Sequence, residues 1–147
     1  NHLVTTRWRN APVNSPEAGL LGSMYIEVDH PVDGDFVIQD AEPWLLANTG
    51  LSQGSALPGV AGYEVDGLSA SSPAGTGVVA RMADSRIPGA VTLYRAGSGA
   101  LVFATGSMQW SWGLDDYQAP LLRKSVLNPA VQQMTRNVLT RFARTDD

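Results

Sequence analysis

The sequence contains no cysteine and only two histidines among its 147 residues. Without cysteine there can be no disulfide, no thiolate metal site and no thiol nucleophile. His2 lies near the terminus and His30 precedes a proline, so neither has the spacing of a metal-ligand pair, and no motif around His30 indicates a Ser–His–Asp triad. We therefore assign no catalytic residue and expect no resident cofactor in this chain.

Charge is also scarce. Charged residues make up 16% of the chain, against roughly 25% in an average soluble protein, and the net charge is −4. A nucleic-acid interface needs a basic surface, so a nucleic-acid partner is not expected. No apolar run approaches the ~20 residues of a membrane span, so none is expected here.

What the chain does contain suits a single domain. Hydrophobic residues make up 44% of the sequence, which is enough for a core, and the 15 glycines and 9 prolines predict many loops. Low charge and many small residues favour a strand-rich domain that has long loops or that packs against neighbouring domains.

The most informative stretch runs from Leu93 to Asp116, LYRAGSGALVFATGSMQWSWGLDD. It predicts a strand, a Gly-Ser-Gly turn and a second strand, which together form an antiparallel hairpin. The unbroken apolar run Ala100 to Ala104 predicts a strand that is covered on both faces. Trp110 and Trp112 would share one face if that piece stays extended.

Elsewhere the pattern is weaker. Leu3 to Arg9 predicts an edge strand, Leu51 to Ala61 a glycine- and serine-rich loop, and Tyr63 to Leu68 a strand. The last element is the clearest helix, because Asn128 can cap it and Pro129 suits its first turn. Its apolar stripe has helical spacing and comprises Val131, Met134, Val138 and Phe142, with Leu139 beside it.

Four segments together resemble the C-terminal region of proteins similar to the large subunit of N,N-dimethylformamidase. They are TTRWRNAPVNSPEAGLLGSMY, GVAGYEVDGL, the Leu93 to Asp116 stretch and the final helix. The resemblance implies a class I glutamine amidotransferase-like domain with a flavodoxin-like parallel core. It also implies a parent protein that is bacterial and secreted or cell-surface. Because the chain starts Asn1-His2-Leu3, we expect residues 1–147 to be a single domain that is a piece of a larger amidotransferase-like domain.

The chain departs from the amidotransferase pattern in its chemistry. Gly106 and Ser107 stand where a related hydrolase-like domain would show Gly-His, and a thiol–histidine mechanism is excluded because there is no cysteine. We expect an α/β fold with a mixed sheet of about five to seven strands and a long C-terminal helix on one face. The alternative is an α+β domain that stands alone.

Glu64 is the candidate metal ligand. Glu64 and Asp66 are two apart, so on a strand they point the same way and could share a metal or a proton. Formamidases of the resembled type bind iron through tyrosines and a glutamate, and the resemblance implies that Glu64 takes the glutamate's position, with the other ligands upstream. The alternative is that these carboxylates cap a loop or pair with Arg81 or Arg95.

Gln109, Trp110 and Trp112 form a candidate ligand surface, because aromatic faces beside an amide suit a sugar ring. The alternative is that the tryptophans seal one end of the sheet, since tryptophan is highly buried on average.

Three functions follow from these observations. The leading one is a non-catalytic or accessory domain of a larger exported bacterial protein, whose partners are the other domains of the parent chain. The second is part of an iron-dependent amide hydrolase, in which Glu64 and upstream tyrosines hold iron and the ligand is a small amide. The third is a carbohydrate-binding module that uses Trp110 and Trp112.

Overall fold

The computed structural model describes residues 5–28 and 30–144. These residues form three α-helices, seven strands and one 3-10 helix. The helices are α1 (Ala18–Leu21), α2 (Pro43–Leu46) and α3 (Pro129–Phe142), and the 3-10 helix is Met108–Gly113. The strands are β1 (Met24–Tyr25), β2 (Asp33–Ile38), β3 (Ala56–Gly62), β4 (Asp66–Gly67), β5 (Gly77–Met82), β6 (Ala90–Arg95) and β7 (Leu101–Ala104).

The main sheet has five strands in the order β3-β2-β5-β6-β7, and every neighbouring pair is antiparallel. β1 and β4 form a separate two-stranded antiparallel sheet. The number of strands agrees with the prediction, whereas the mixed pairing does not, because no described strand pairs in parallel. The described residues thus combine helices with antiparallel sheets, and a flavodoxin-like parallel core is not among them.

The predicted hairpin is confirmed, with β6 and β7 paired from Thr92↔Ala104 to Arg95↔Leu101. The prediction that its second strand is covered on both faces is wrong. β7 is the last strand of the sheet and all four of its residues are half-buried. The continuously buried strand is β6, which lies between β5 and β7 and is exposed only at Arg95. An apolar run of five residues does not separate an edge strand from a central one.

The predicted loop from Leu51 to Ala61 is wrong at its second half, because β3 occupies Ala56–Gly62. Small residues and Pro58 conceal the strand in the sequence, yet Leu57, Val60 and Ala61 are fully buried. The predicted strand from Tyr63 to Leu68 is also wrong. Tyr63 has a φ of 66°, so the chain reverses there. Pairing resumes with an isolated bridge between Val65 and Ser107, and only Asp66–Gly67 forms a strand.

Helix α3 is confirmed with the predicted cap, because Asn128 Oδ1 accepts hydrogen bonds from the backbone N–H of Ala130 at 3.0 Å and of Val131 at 3.4 Å. Val131, Met134 and Val138 are buried in the same core cluster as the strand residues Phe36, Ile38 and Leu57. Leu139 and Phe142 of the predicted stripe are exposed instead. Asn137 Nδ2 donates to Leu45 O at 2.9 Å and Ala47 O at 2.8 Å, which attaches α3 to the end of α2.

The prediction of an edge strand from Leu3 to Arg9 is wrong for the described residues. Leu3 and Val4 lie outside the described residues, and residues 5–9 form no strand but enter a turn. Within residues 5–28 and 30–144, no helix is long and apolar enough to cross a membrane.

Candidate functional site

A cleft of about 1000 Å³ opens beside the main sheet. Its walls come from the start of β2, the end of β3, the 3-10 helix and the segment 123–126. The side chains that give it its chemistry are Asp33, Asp35, Tyr63, Gln109, Trp112 and Lys124. Residues distant in sequence therefore meet at one end of the sheet, where β3 ends and the 3-10 helix begins.

Ser107 holds these two elements together. Its Oγ accepts a hydrogen bond from Gly62 N at 2.8 Å and donates one to Gly62 O at 2.9 Å. The same oxygen accepts from Gln109 N at 3.0 Å, which caps the 3-10 helix. Ser107 thus fixes the position of the Gln109 backbone relative to the last residue of β3.

Gln109 lines the cleft although only 3% of its surface is exposed. Its side chain packs against the backbone of Gly62, where an added Cβ would lie 2.7 Å from both Cδ and Oε1 of Gln109. Oε1 is buried and has no hydrogen-bond partner among the described residues. A buried amide oxygen without a partner costs roughly 1–3 kcal/mol of desolvation, so a group that donates to it would be stabilised here.

Trp112 forms the aromatic wall of the cleft together with Tyr63. The two rings meet edge to face with centroids 5.7 Å apart. Arg123 lies over the Trp112 ring, with Cζ 5.1 Å from the centroid, and its Nη2 donates to Asp115 O at 2.6 Å. Trp112 is therefore covered by its neighbours, while Tyr63 remains 69% exposed and is the open aromatic surface.

Carboxylates from β2 also line the cleft. Asp35 is half-buried, and its Oδ1 accepts from Gly59 N at 2.9 Å. Asp33 and Lys124 line the cleft as well, and both are exposed. The cleft thus combines an aromatic ring, a buried amide and oxygen acceptors.

The structure separates the predicted tryptophan pair. Trp110 is buried, its Nε1 donates to Thr135 Oγ1 of α3 at 3.1 Å, and its ring meets Phe103 of β7 edge to face at 6.1 Å. The prediction that Trp110 and Trp112 share an extended face is wrong, because the chain forms a 3-10 helix with roughly three residues per turn. Of the three predicted ligand-surface residues, the cleft includes Gln109 and Trp112 and excludes Trp110.

Comparison with known families decides the relationship of the chain. Residues 1–123 match the model of the family described as N,N-dimethylformamidase beta subunit-like, C-terminal. The chain belongs to this family of C-terminal domains. No curated protein and no solved structure matches the chain.

In this dimethylformamidase beta subunit-like domain, Glu64 lies outside the cleft. It is exposed in the bend after β3 and shares a depression of about 470 Å³ with Tyr25, Glu17, Arg7 and Arg9. Glu64 and Asp66 remain close enough to interact. Burial raises the pKa of the Asp66 carboxyl, and the charges of Glu64 and Glu17 raise it further, while Arg9 opposes them.

The donors around Glu64 are partly suited to iron, since phenol and carboxylate oxygens are hard ligands. Glu17, however, forms an ion pair with Arg9 at 2.9 Å, and Arg7 adds a second cation to the same depression. Among the described residues, no group of three or more His, Cys, Asp or Glu side chains could hold a metal ion. These residues alone do not complete an iron site, and no reaction step is derived through one.

The cleft also contains residues that the sequence did not predict as ligand contacts, among them Asp35, Tyr63 and Arg123. Tyr63 follows a glycine and adopts a left-handed backbone, which no local pattern indicates. Arg123 lies eleven residues after Trp112, and only the folded segment 114–127 brings it over that ring. Asp35 carries no signal in a sequence without a recognisable ligand motif.

Proposed function

We propose that this dimethylformamidase beta subunit-like domain is a non-catalytic, accessory domain of a larger exported bacterial protein. In this proposal it docks against another domain of the parent protein. One observation carries the proposal, namely an exposed apolar surface on the segment 117–122. Tyr117 is 79%, Leu121 87% and Leu122 77% exposed. Large exposed apolar side chains that lie together mark interaction surfaces more often than isolated ones do.

The docking surface, defined as Tyr117, Leu121 and Leu122, belongs to a segment with a defined structure. Asn128 N donates to Gly113 O at 3.0 Å, which closes the base of the segment 114–127. Inside the segment, Leu122 N donates to Gln118 O at 3.0 Å, and Ser125 Oγ donates to Asp116 Oδ1 at 2.7 Å. The apolar side chains are therefore presented by a hydrogen-bonded loop, and ordering it on docking would cost little.

The proposed occupant is another domain of the same protein. The family consists of C-terminal domains, so the rest of a parent protein is always tethered nearby at a high effective concentration. The resemblance to amidotransferase-like proteins supports one refinement. We propose that a flavodoxin-like parallel core belongs to that neighbouring part, and that the antiparallel sheet described here extends it or packs beside it.

The test uses the intact parent protein with the double substitution L121D/L122D. Two buried charges at an interface would be strongly unfavourable, so we expect the domain to separate from its neighbour. Differential scanning calorimetry should then show an additional, earlier transition, and limited proteolysis should release the domain faster. The matched control is L139D, because Leu139 is 63% exposed on α3, outside the docking surface. If the double variant melts and is cleaved like the wild type, the docking proposal is wrong.

We propose as a second possibility that the parent protein is an iron-dependent amide hydrolase. Glu64 and Tyr25 line the same depression, which supports Glu64 as one oxygen ligand of a site shared with another part of the parent protein. Elemental analysis of the purified parent protein tests it. Stoichiometric iron that is lost in Glu64→Gln and kept in the exposed control Glu27→Gln would support the shared site, whereas iron unaffected by Glu64→Gln would exclude Glu64 as a ligand.

A further inference from the structure

We propose that the cleft between β2, the end of β3 and the 3-10 helix is a binding site for a neutral carbohydrate. The site adjoins the docking surface, because Tyr63 and Trp112 also share a depression with Tyr117 and Leu122. It rests on the buried amide of Gln109, the exposed ring of Tyr63 and the carboxylates of β2. Each of these groups matches one chemical property of a sugar.

Gln109 supplies the polar centre of the site. Its Oε1 is buried and has no hydrogen-bond partner among the described residues, although the residue lines the cleft. Its backbone N–H donates to Ser107 Oγ at 3.0 Å, which fixes the point from which the side chain extends. A side-chain amide offers both acceptor and donor atoms, and a sugar hydroxyl is likewise both donor and acceptor. Sugar hydroxyls, or the acetamido group of an N-acetylated sugar, can therefore satisfy this amide.

Tyr63 supplies an apolar surface against which a sugar ring can pack. Its ring is held by the edge-to-face contact with Trp112, whose own ring is occupied by Arg123. Because the Tyr63 side chain is mostly exposed, a ligand that packs on it removes apolar surface from water while its hydroxyls reach the polar groups of the cleft. The assignment shifts the aromatic role from the predicted tryptophans to Tyr63.

The charges of the cleft favour a neutral ligand over an anionic one. Asp33 and Asp35 contribute two carboxylates, and the only hydrogen bond to the Asp35 carboxylate among the described residues uses Oδ1, so Oδ2 remains an acceptor for a hydroxyl. Arg123 already contacts Asp115 O and lies 4.0 Å from Asp116 Oδ1, so its charge is largely engaged. Lys124 alone would not offset two carboxylates facing an anion.

Two variants separate ligand binding from folding. Gln109→Met keeps the length of the side chain and removes an amide oxygen that has no partner, so the melting temperature should stay the same or rise. Tyr63→Asn removes the ring, and asparagine tolerates the left-handed backbone at φ 66° better than most residues. The matched control is Phe142→Asn, which removes an exposed aromatic ring of α3 that does not line the cleft.

The experiment is isothermal titration calorimetry of the intact protein containing this chain, with cellotetraose, maltotetraose and chitotetraose as probes. We expect saturable binding of at least one probe, weakened about tenfold or more in Gln109→Met and in Tyr63→Asn and kept in Phe142→Asn. A preference for chitotetraose over cellotetraose would identify an acetamido group as the partner of Gln109.

Three results would overturn the proposal. The first is that no tetrasaccharide binds, and the second is that both cleft variants bind as the wild type does. The third is that tetraalanine binds instead of the sugars and is lost in both variants, which would assign the cleft to a peptide. Sugar binding tests this proposal, whereas melting and proteolysis of L121D/L122D test the docking proposal, so the two proposals fail independently.

Discussion

The 3-10 helix Met108–Gly113 has an inner side, which faces the core, and an outer side, which faces the cleft, and the two sides differ in how far their tryptophans are buried. On the inner side, Trp110 is buried between β7 and α3 and its indole N–H is bonded to Thr135. On the outer side, Trp112 is half-buried between Tyr63 and Arg123 and forms part of the cleft wall. Two tryptophans separated by one serine therefore belong to different regions, one to the core and one to the candidate site.

The difference follows from the helix type. Residues two apart on a strand face the same way, whereas on a 3-10 helix each residue turns by roughly 120°. Because the helix begins at the Ser107 cap, its first turn directs Trp110 toward α3 and leaves Trp112 toward the segment 114–127. The cap residue thus decides which tryptophan becomes structural.

The largest expected effect is that of Trp110→Ala. Truncation of a buried tryptophan should lower the free energy of unfolding by about 3–5 kcal/mol, and it also leaves Thr135 Oγ1 without its donor. Urea denaturation measures the loss, with the exposed Trp8→Ala as the control. In the wild type Trp110 should resist acrylamide quenching, and a loss no larger than that of Trp8→Ala would mean that the inner side is not part of the core.

Phe103→Ala should have a smaller effect. A fully buried phenylalanine would cost about 3–5 kcal/mol, but Phe103 lies half-buried on the edge strand β7, so we expect about 2 kcal/mol. The same urea experiment measures it, and Phe142→Ala, a change at an exposed position of α3, is the control. A loss equal to that of Trp110→Ala would show that β7 is covered as fully as the sequence predicted.

Trp112→Ala should cost less again, about 1–2 kcal/mol, since it removes one edge-to-face contact and one cation–π contact at a partly exposed position. Intrinsic fluorescence and urea denaturation of this variant, beside Trp110→Ala, compare the two sides of the helix directly. Equal losses for the two tryptophans would contradict the division into core and cleft.

The smallest effect concerns Asp66, near Glu64. Because burial raises its pKa above 3.8, the folded state binds a proton more readily than the unfolded state, and the ionised carboxylate lowers stability at neutral pH. Asp66→Asn should therefore be more stable than the wild type at neutral pH. The advantage should shrink as the pH falls through the raised pKa and vanish below 3.8.

Asp84→Asn provides a control of opposite sign. Hydrogen bonds from Arg86 lower the pKa of Asp84 to about 2, so its contribution is present above 3.8 and is lost as the pH falls through about 2. The ion pair between Asp84 and Arg86 is on the surface, so Asp84→Asn should lower the free energy of unfolding only slightly, and it should do so at neutral pH. Thermal melts across this pH range measure both, and a destabilised Asp66→Asn at neutral pH would contradict the assignment.

The parts of the fold that local signals determine could be predicted from the sequence. The Gly-Ser-Gly turn between two apolar runs indicated the β6–β7 hairpin, and Asn128-Pro129 before an apolar stripe indicated α3 and its cap. Strand β3 could not be predicted, because most of its residues are small or proline and do not form a strand pattern. It is a strand because it pairs with β2. Its strand character is a tertiary effect.

The candidate site was only partly predictable for the same reason. Their residue types indicate Gln109 and Trp112 as candidate ligand contacts. The cleft they line is completed by Tyr63 and Arg123, which are distant from them in sequence. Glu64 and Asp66 were placed on one strand face, whereas the reversal at Tyr63 puts Glu64 in a bend and leaves only Asp66 in a strand. Contacts of this kind depend on long-range packing, which the spacing of residues along the chain does not predict.

The hydroxyl of Ser107 uses its whole bonding capacity, with one donated and two accepted hydrogen bonds. Gly62 and Gln109 cannot separate unless bonds to this one oxygen break, so their amide protons should exchange with solvent through a common opening event. The distance between the end of β3 and the start of the 3-10 helix is then fixed before any ligand arrives. A molecule that enters the cleft meets a rigid receptor, and its affinity depends on fit rather than on closure of the protein around it.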